Sequence, residues 1–337
     1  MVTDRAPALL EDLAARCVWP GGARPTLAVS GGPDSLALLV LAAHAGLDAE
    51  AVHVDHGLRP GSAAEADVVA AAAARFGVRF RAVRVEVAPG PNLEARARAA
   101  RYAALPAGVL TGHTADDQAE TVLLNLLRGA GLDGLAAMAG ASAPGRAGPT
   151  GGVGGAGQVG SAGHVGPPGP ARIGRPLLAL RRWETHALCD AVGLRPVVDP
   201  SNADPAIRRN AVRQRLVPLL EELAGRDPVP VLARQAHLAA DDAAYLEQAA
   251  AAVDPTDARQ LAAAPVALAR RAVRAWLRDS SGPERHPPSA AEVARVLAVA
   301  AGDAVACEVS LGRRVSRSAG RLSLTLASGP VEAAPGR

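Results

Sequence analysis

The most informative absence in this 337-residue sequence is that of lysine, because all 36 basic residues are arginine. A Walker A loop, Gly-x-x-x-x-Gly-Lys-Ser/Thr, places its lysine against the β and γ phosphates of a nucleotide. Without lysine the chain cannot contain that loop. Any phosphate-binding loop in this sequence must therefore belong to another class.

Cysteines and aromatic residues are also scarce. Cys17, Cys189 and Cys307 form no Cys-x-x-Cys pair, which argues against a disulfide framework and against a zinc or iron–sulfur site. Aromatic residues make up 2% of the chain and apolar residues 49%. The core must therefore be built from Ala, Leu and Val.

Long apolar runs are missing as well. No uninterrupted apolar stretch reaches the length of about 18 residues that a membrane-spanning helix needs. The N-terminus carries Asp4, Glu11 and Asp12 in place of the basic and apolar regions of a signal peptide. We therefore expect a cytoplasmic protein that does not contact a membrane.

The first half of the chain alternates between strand-like and helix-like segments. We predict strands at Leu27–Val29, Ala49–Val54, Arg79–Val85 and Gly108–Thr111, and helices at Asp34–Ala45, Ala63–Phe76, Asn92–Ala104 and Asp116–Leu127. Strands that alternate with helices of about 10 to 15 residues indicate βαβ units. The expected fold is an α/β, doubly wound parallel sheet of the Rossmann-like kind, with the chemistry in the loops at the carboxyl ends of the strands.

A glycine-rich turn joins the first predicted strand to the first predicted helix and reads Ser30-Gly31-Gly32-Pro33-Asp34-Ser35. Such a turn aims backbone N–H groups and the positive end of the helix dipole at one point, which suits a phosphate. An ordinary Gly-Gly turn capped by Asp34 and Ser35 is the alternative. At every fixed position the six residues resemble the pyrophosphate loop (PP-loop) of the adenylating ATP pyrophosphatases, Ser-Gly-Gly-x-Asp-Ser. That resemblance implies ATP as the nucleotide and a Mg²⁺ ion that Asp34 helps to hold on the leaving pyrophosphate.

Acidic residues cluster after the fourth predicted strand, in the run Thr111-Gly112-His113-Thr114-Ala115-Asp116-Asp117-Gln118-Ala119-Glu120-Thr121. On a helix that begins near Thr114, Asp116 and Asp117 lie four and three residues before Glu120, so the three carboxylates cluster on one side. Thr114 with Asp117 also fits a helix cap. Because this helix follows a strand of the same sheet, we expect its N-terminus at the same edge as the PP-loop. There the carboxylates suit a magnesium ion or a substrate amine, and His113 is available to a phosphate.

The run from His113 to Gly129 resembles the second signature of the tRNA(Ile)-lysidine synthetases, a family of the PP-loop superfamily. Further matches to that family cover about residues 24–220, apart from an insertion. They are Val54-Asp55-His56-Gly57-Leu58-Arg59, the run Asn92 to Tyr102, Arg175-Pro176-Leu177-Leu178, Asp199-Pro200-Ser201-Asn202 and the run Arg209 to Arg215. Singly, each match also fits an ordinary turn or a solvated helix face. Their fixed order behind one PP-loop makes the resemblance specific.

The resemblance implies a two-step reaction. ATP adenylates the C2 oxygen of the wobble cytidine in the CAU anticodon of tRNA(Ile), and pyrophosphate leaves. The ε-amine of free L-lysine then displaces AMP to form lysidine. The implied cofactors are ATP and Mg²⁺, and the implied partners are this tRNA and lysine.

The resemblance also implies roles for single residues. The nucleotide-binding residues would be Ser30, Gly31, Gly32, Pro33, Asp34, Ser35 and His113, with Asp34 at the metal. The catalytic residues would be Asp34, Asp117, Glu120, Arg98 and Arg209. Asp117 and Glu120 would hold or deprotonate the lysine amine, whereas Arg98 and Arg209 would contact phosphate or the activated base. Which carboxylates bind Mg²⁺ and which bind the amine stays open.

The second half of the chain is more basic than the first. Residues 1–170 carry 13 Arg and 15 Asp or Glu, whereas residues 171–337 carry 23 Arg and 18 Asp or Glu. A basic excess suits a polyanion such as tRNA. We predict a PP-loop domain over 1–220 and a smaller, mainly helical tRNA-recognition domain over 221–330, which ends in an arginine-rich hairpin at Cys307–Leu326. The chain resembles a short form of the family, and its oligomeric state stays open, a homodimer included.

Three other functions share some of these features. A tRNA cytidine thiolase uses the same loop and a similar Asp-Asp motif, but sulfur transfer in that group typically uses paired cysteines. A small-molecule amidotransferase, such as a GMP or NAD synthetase, shares the loop and acts on a free nucleotide. A non-catalytic tRNA-binding protein would not need the set formed by Asp34, Asp117 and Glu120.

Residues 140–171 are rich in Gly, Pro and Ala and nearly devoid of large apolar side chains. Such a segment cannot bury enough surface to offset its ordering entropy, so we predict a disordered insertion. Deletion of Ala143 to Pro168 should therefore change the melting temperature little, because the cost of closing a loop grows slowly with its length. A drop of several degrees in calorimetry, or loss of tRNA binding, would contradict this prediction.

Overall fold

The computed structural model describes residues 5–20, 24–55, 57, 62–87, 93–138, 173–199, 204–281 and 288–326. The chain divides into two compact units, Met1–Ala240 and Asp241–Arg337. The insertion predicted at 140–171 lies outside the described residues. Within the described ranges, no helix is long and apolar enough to cross a membrane.

A four-stranded parallel sheet forms the centre of the first unit. Its strands are β1 (Thr26–Ala28), β2 (Glu50–Asp55), β3 (Arg79–Arg84) and β4 (Leu110–Thr111). Their order across the sheet is β3-β2-β1-β4, and every pairing is parallel. In the register of the sheet, Leu27 of β1 lies opposite Ala51 of β2 and Leu110 of β4.

Helices precede, connect and follow these strands. They are α1 (Arg5–Ala15), α2 (Pro33–His44), α3 (Ser62–Arg75), α4 (Leu93–Ala103), α5 (Ala115–Leu127), α6 (Leu132–Leu135), α7 (Arg182–Ala191), α8 (Arg208–Ala211), a π-helical turn (Val212–Leu216), α9 (Val217–Ala224) and α10 (Val229–Ala250). The predicted helices and strands of the first half are confirmed within one or two residues at each end. Helix α10 contributes residues to both units.

Both faces of the sheet are covered. Successive residues of a strand point to opposite faces, and β2 shows this clearly. Ala51 packs into a core with Leu38 of α2 and Leu188 of α7, whereas Val52 packs with Tyr102 of α4 on the other face. The predicted α/β, doubly wound parallel fold is therefore confirmed.

The strand order places the candidate site. The chain moves from β1 outward to β3 and then returns to the other side of β1 for β4. The loops after β1 and β4 therefore leave the sheet in opposite directions and open a crevice, the usual ligand site of such sheets. The loop after β1 is the PP-loop, and the loop after β4 leads into the acidic helix α5.

The PP-loop and the loop after β4 approach each other closely. A Cβ atom on Gly112, just after β4, would lie 2.4 Å from the carbonyl oxygen of Asp34. Gly31 has φ +87°, which a glycine adopts readily, and a Cβ there would lie 2.9 Å from Val197 Cγ2. Both glycines are therefore required by the approach of neighbouring backbone and side chains.

The second unit contains α11 (Ala258–Ala263), α12 (Val266–Asp279), α13 (Ala290–Ala301) and strands β5 (Ala306–Val309), β6 (Arg313–Ser318) and β7 (Arg321–Leu326). The strands form an antiparallel sheet in the order β5-β6-β7. The predicted hairpin is formed by β6 and β7, and β5 adds a third strand that the sequence analysis did not separate. Buried Val273, Val296 and Val315 join the helices to this sheet.

Arginines of this sheet hold the second unit together. The buried Arg313 donates to the carbonyl oxygen of Leu277 and to Ser281 Oγ, at the end of α12. Arg317 donates to the carbonyl oxygen of Ala300 over 2.8 Å, at the end of α13. These guanidinium groups satisfy carbonyl groups that a helix end leaves without partners. Two of the four arginines in the predicted hairpin at Cys307–Leu326 therefore have an internal structural role.

Replacement of Gly112 by Ala tests the contact between the two loops. The added Cβ would meet backbone that cannot rotate away, so we expect a loss of about 1–3 kcal/mol in the free energy of unfolding, together with weaker ATP binding. Urea denaturation and nucleotide titration measure the two effects. Gly131→Ala is the control, because a Cβ at Gly131 meets nothing within 4 Å. Equal unfolding midpoints for the two variants would contradict the prediction.

Candidate active site

A cavity of about 880 Å³ opens at the crevice of the first unit. Its volume lies within the usual range of small-molecule sites. The PP-loop, the start of α5, the start of α7 and the π-helical turn all contribute to its wall. The polar residues of that wall include Ser30, Asp34, Ser35, His53, His113, Asp117, Arg182, His186, Arg213 and Gln214.

The PP-loop is held by its own serines. Ser35 Oγ donates to the carbonyl oxygen of Gly32 over 2.8 Å and accepts from the backbone N–H of Ser30 over 3.2 Å. Gly32 is the extended N-cap of α2, and Pro33 follows in the first turn, where a missing N–H group costs little. The loop therefore presents a helix N-terminus to the cavity in a fixed conformation, as a phosphate site requires.

Asp34 lies in the first turn of α2 and lines the cavity. Its carboxylate accepts a hydrogen bond from Thr185 Oγ1, and its Oδ2 lies 3.7 Å from Nε of Arg182. Burial raises the pKa of Asp34 above the usual range of a carboxyl group, although Thr185 and Arg182 act in the opposite direction. A cation placed at this carboxylate would therefore stabilise its charged form.

Asp117 serves two purposes at the start of α5. Its Oδ2 accepts from the backbone N–H and from Oγ1 of Thr114, both over 3.0 Å, which is the capping arrangement. Its Oδ1 accepts from Arg182 Nη2 over 3.0 Å and contributes to the cavity wall. Burial acts to raise the pKa of Asp117, but Arg182, His113 and Arg209 outweigh it and lower the pKa to about 2. The structure therefore shows the helix cap that is one of the two sequence interpretations, and the same side chain also lines the cavity.

Glu120 is surrounded by guanidinium groups. It is 2% exposed and accepts from Arg182 Nη1 over 2.9 Å, from Arg209 Nε over 2.8 Å and from Arg213 Nε over 2.7 Å. Arg209 and Arg213 are four residues apart, across α8 and the π-helical turn, and both reach this one carboxylate. Glu120 is not part of the cavity wall; it lies behind the arginines.

Asp116 points away from the other two acids. It accepts from Nε and Nη2 of Arg181 over 3.0 and 3.1 Å, and from the backbone N–H of Arg182 over 2.8 Å. Asp227 is a second carboxylate partner of Arg181. Helix spacing predicts one cluster of Asp116, Asp117 and Glu120. Asp116 instead fixes the start of α7, and this is a correction.

The first turn of α7 is the part of the site that the sequence analysis missed. Arg182 reaches the carboxylates of both α2 and α5, and Thr185 reaches Asp34 of α2. Arg181 anchors the turn through Asp116. The only sequence signal nearby is the motif Arg175-Pro176-Leu177-Leu178, which ends three residues before Arg181. That motif gives no spacing rule that connects α7 to Asp34 or Asp117.

The remaining predicted residues are placed as follows. His113 lines the cavity, and its Nδ1 lies 2.8 Å from Oγ1 of Thr111. Arg209 also donates to the carbonyl oxygen of Asp117 and to Thr121 Oγ1. Arg98 belongs to α4, and its side chain lies outside the described residues.

The acids of the cavity fit a magnesium ion that is bound together with a nucleotide. Among the described residues, no group of three or more His, Cys, Asp or Glu side chains forms a site that a metal could occupy on protein ligands alone. Mg²⁺ is usually held by one or two carboxylates together with substrate phosphates. Asp34, beside the PP-loop, offers one such carboxylate.

Comparison with known proteins agrees with this geometry. A family profile described as a PP-loop domain matches residues 10–220, and one described as the TilS substrate binding domain matches residues 257–323. The tRNA(Ile)-lysidine synthase of Nocardia farcinica is 43% identical over 274 residues, which cover 77% of each chain. That of Salinispora tropica is 41% identical over 321 residues, which cover 88% of this chain and 89% of the relative.

The chain belongs to the tRNA(Ile)-lysidine synthase family. The resemblance stated from the sequence is thereby confirmed, and so is the predicted class of enzyme, an ATP-dependent ligase. Among solved structures, the U34-tRNA thiolase NcsA from Methanococcus maripaludis superposes with a TM-score of 0.46 and 15% identity, over 72% of this chain and 79% of that one.

Replacement of Glu120 by Gln tests the buried charges of this tRNA(Ile)-lysidine synthase family member. Three guanidinium groups would then face a neutral amide. Because removal of one partner of a buried ion pair leaves the other charge uncompensated, we expect the free energy of unfolding to fall by about 3–5 kcal/mol. Urea denaturation at low salt measures the loss. Glu221→Gln on the exposed surface of α9 is the control and should stay within about 0.5 kcal/mol of the parent. A Glu120→Gln protein as stable as this control would contradict the prediction.

Proposed function

We propose that this chain joins the ε-amine of L-lysine to C2 of the wobble cytidine in the CAU anticodon of tRNA(Ile). ATP is consumed, and AMP and pyrophosphate are released. One observation carries the proposal. The PP-loop acid Asp34 and the α5 acid Asp117 face the same cavity and are joined through Arg182, which supports their proposed roles toward the nucleotide and the amine.

The first half-reaction belongs to the PP-loop. The backbone N–H groups at the start of α2 would bind the phosphates, and His113 would add a contact from the loop after β4. Asp34 would hold Mg²⁺, and the ion would supply neutralisation of the charge that develops on pyrophosphate. The PP-loop would hold the phosphates so that the C2 oxygen of the cytidine attacks the α-phosphorus and the bond to pyrophosphate breaks.

The second half-reaction belongs to α5. A lysine ammonium group would bind at Oδ1 of Asp117, which faces the cavity, and would reach Glu120 after Arg182 moves aside. A carboxylate whose pKa is about 2 is a weak base, so Asp117 is suited to hold the ammonium group rather than to remove its proton. The proton that the group must lose before its nitrogen attacks C2 would pass to solvent in the open cavity, and the neutral amine would then displace AMP. Arg209 and Arg98 would contact phosphate or the activated base, as the family resemblance implies.

The tRNA must deliver a single unstacked base to the cavity. An anticodon loop permits this at low cost because its bases are not held in a duplex. We assign recognition of the rest of the tRNA to the second unit, which contains the match to the TilS substrate binding domain, and we place the reaction in the cytoplasm, where tRNA is used.

The cysteine thiol groups do not favour sulfur transfer, which is the nearest alternative function. Burial raises the pKa of Cys17 and of Cys189 to about 12, and it also raises the pKa of Cys307. A thiol that carries sulfur acts as a thiolate, whose formation requires a lowered pKa. Cys189, the cysteine under the PP-loop, donates to the carbonyl oxygen of Pro33 over 3.4 Å.

The test is a modification assay. The protein is incubated with ATP, Mg²⁺, labelled lysine and an unmodified CAU tRNA(Ile) transcript, and the tRNA is digested to nucleosides. We expect label in a lysine-bearing cytidine, and none with a transcript whose wobble base is U. Label incorporated from sulfide, with none from lysine, would overturn the proposal in favour of a thiolase.

Substitution of the two acids separates the half-reactions. Asp117→Asn removes a charge-assisted contact worth about 1.5–3 kcal/mol and should raise the lysine requirement about 10- to 150-fold. Adenylation should survive in this variant because Asp34 and the PP-loop are intact. Asp34→Ala should instead slow pyrophosphate release about 100-fold or more.

The measurement is the amount of adenylated tRNA trapped with and without lysine. Accumulation in Asp117→Asn without lysine transfer would support the assignment of the amine. A folded Asp117→Asn protein that forms no adenylate under any condition would assign Asp117 to the metal instead.

A further inference from the structure

Arg182 bridges all three carboxylates of the proposed chemistry. Its Nη2 lies 3.0 Å from Asp117 Oδ1, its Nη1 lies 2.9 Å from Glu120 Oε1, and its Nε lies 3.7 Å from Asp34 Oδ2. The side chain is 18% exposed and forms part of the cavity wall. The guanidinium group thus lies where a substrate cation would have to bind.

The carboxylates keep other partners if Arg182 moves. Glu120 would still accept from Arg209 and from both Nε and Nη2 of Arg213. Asp117 would keep the two hydrogen bonds from Thr114. The departure of Arg182 would therefore leave no acid buried without a partner, and that is the condition for a reversible exchange.

A nucleotide would offer Arg182 a competing partner. The cavity that Arg182 lines also contains the PP-loop residues Ser30, Gly32 and Ser35. Guanidinium groups bind phosphate oxygens through two parallel hydrogen bonds, and such pairs are among the strong ones. A divalent cation at Asp34 would at the same time cancel one of the three negative charges that hold Arg182 in place.

We propose that Arg182 occupies the ammonium site in the nucleotide-free protein and that bound ATP draws it onto the phosphates, which opens Asp117 and Glu120 to lysine. The inference rests on the proposed function and adds an order to it. Lysine binds weakly until ATP is in place, so the amine site forms only where an adenylate can form. Arg182 is in this sense a positioning residue for the second substrate.

Thermodynamic linkage gives the expected size of the effect. Coupling between two sites typically changes each affinity by about 5- to 150-fold, and the change must be the same in both directions. We expect the nucleotide to tighten lysine binding at least about 10-fold, which corresponds to about 1.4 kcal/mol. Lysine should tighten nucleotide binding by the same factor.

The experiment is equilibrium dialysis of labelled lysine against the full-length protein, with the unmodified CAU transcript in every arm. Lysine affinity is measured with and without α,β-methylene-ATP and Mg²⁺, which fill the nucleotide site without reaction. In Arg182→Met we expect less than about a 2-fold difference between the two arms, since lysine no longer competes with a guanidinium group. The matched control is Arg24→Met, because Arg24 pairs with Asp48 on the surface and does not contribute to the cavity wall. It should keep the coupling of the parent.

The outcomes distinguish this inference from the proposed function. Equal lysine affinity in both arms of the parent protein would overturn the role of Arg182 and leave lysine transfer standing. Coupling that persists at full size in a folded Arg182→Met protein would also overturn it. If lysine binds the parent in neither arm, the lysine assignment itself fails, and the inference fails with it. The reciprocal titration of the parent with α,β-methylene-ATP needs no variant, so the test holds even if Arg182→Met does not fold.

Discussion

Mutual neutralisation of buried charges is the constraint on which this site depends. Three carboxylates and three guanidinium groups form one network at this site, namely Asp34, Asp117 and Glu120 with Arg182, Arg209 and Arg213, and Asp116 forms a separate pair with Arg181. A charge removed from water is costly unless it is paired and hydrogen-bonded. None of these groups can therefore be chosen independently of the others. Because the partners come from segments far apart in sequence, the same pairs that permit burial also fix α7 and the π-helical turn against α5.

The neutralisation also explains why acids close together can remain charged. Asp117 keeps a pKa of about 2 although it is buried, because the cations around it outweigh its desolvation. Asp34 has fewer such partners, and burial raises its pKa. The Asp117 carboxylate is thus already stabilised by its cations. The charged form of the Asp34 carboxylate would be stabilised more by an added cation. This difference agrees with the division of labour proposed for them, an ammonium site that is prefilled by arginine and a metal site that is completed by the nucleotide.

Local patterns in the sequence are sufficient to predict the sheet, the PP-loop and the start of α5. In each case the information lies within about twenty residues, as in the run from Leu27 to Leu41, where strand, turn and apolar helix follow one another. The first turn of α7 could not be found in this way. Arg182 is 62 residues from Glu120, and the intervening chain includes the insertion, so nothing local reports their contact. The different directions of the Asp116 and Asp117 side chains could not be predicted for a similar reason. Helix spacing places both near Glu120. Only their tertiary partners, Arg181 for Asp116 and Arg182 for Asp117, determine where each side chain points.

The absence of lysine from the chain restricts the kind of cation that can pair with the acids of this site. Among the described residues, the cations hydrogen-bonded to Glu120 are planar guanidinium groups with donors in a fixed fork, and that of Arg182 bridges Glu120 and Asp117 at once. An ammonium group is compact and has three donors on one atom, so it can satisfy Asp117 Oδ1 without spanning to Asp34. The side chains of the protein and its proposed substrate therefore differ in shape rather than in charge. If lysine replaces the Arg182 guanidinium group at Asp117, the guanidinium group needs a second anion to bind. In the proposed exchange the phosphates of ATP supply that anion.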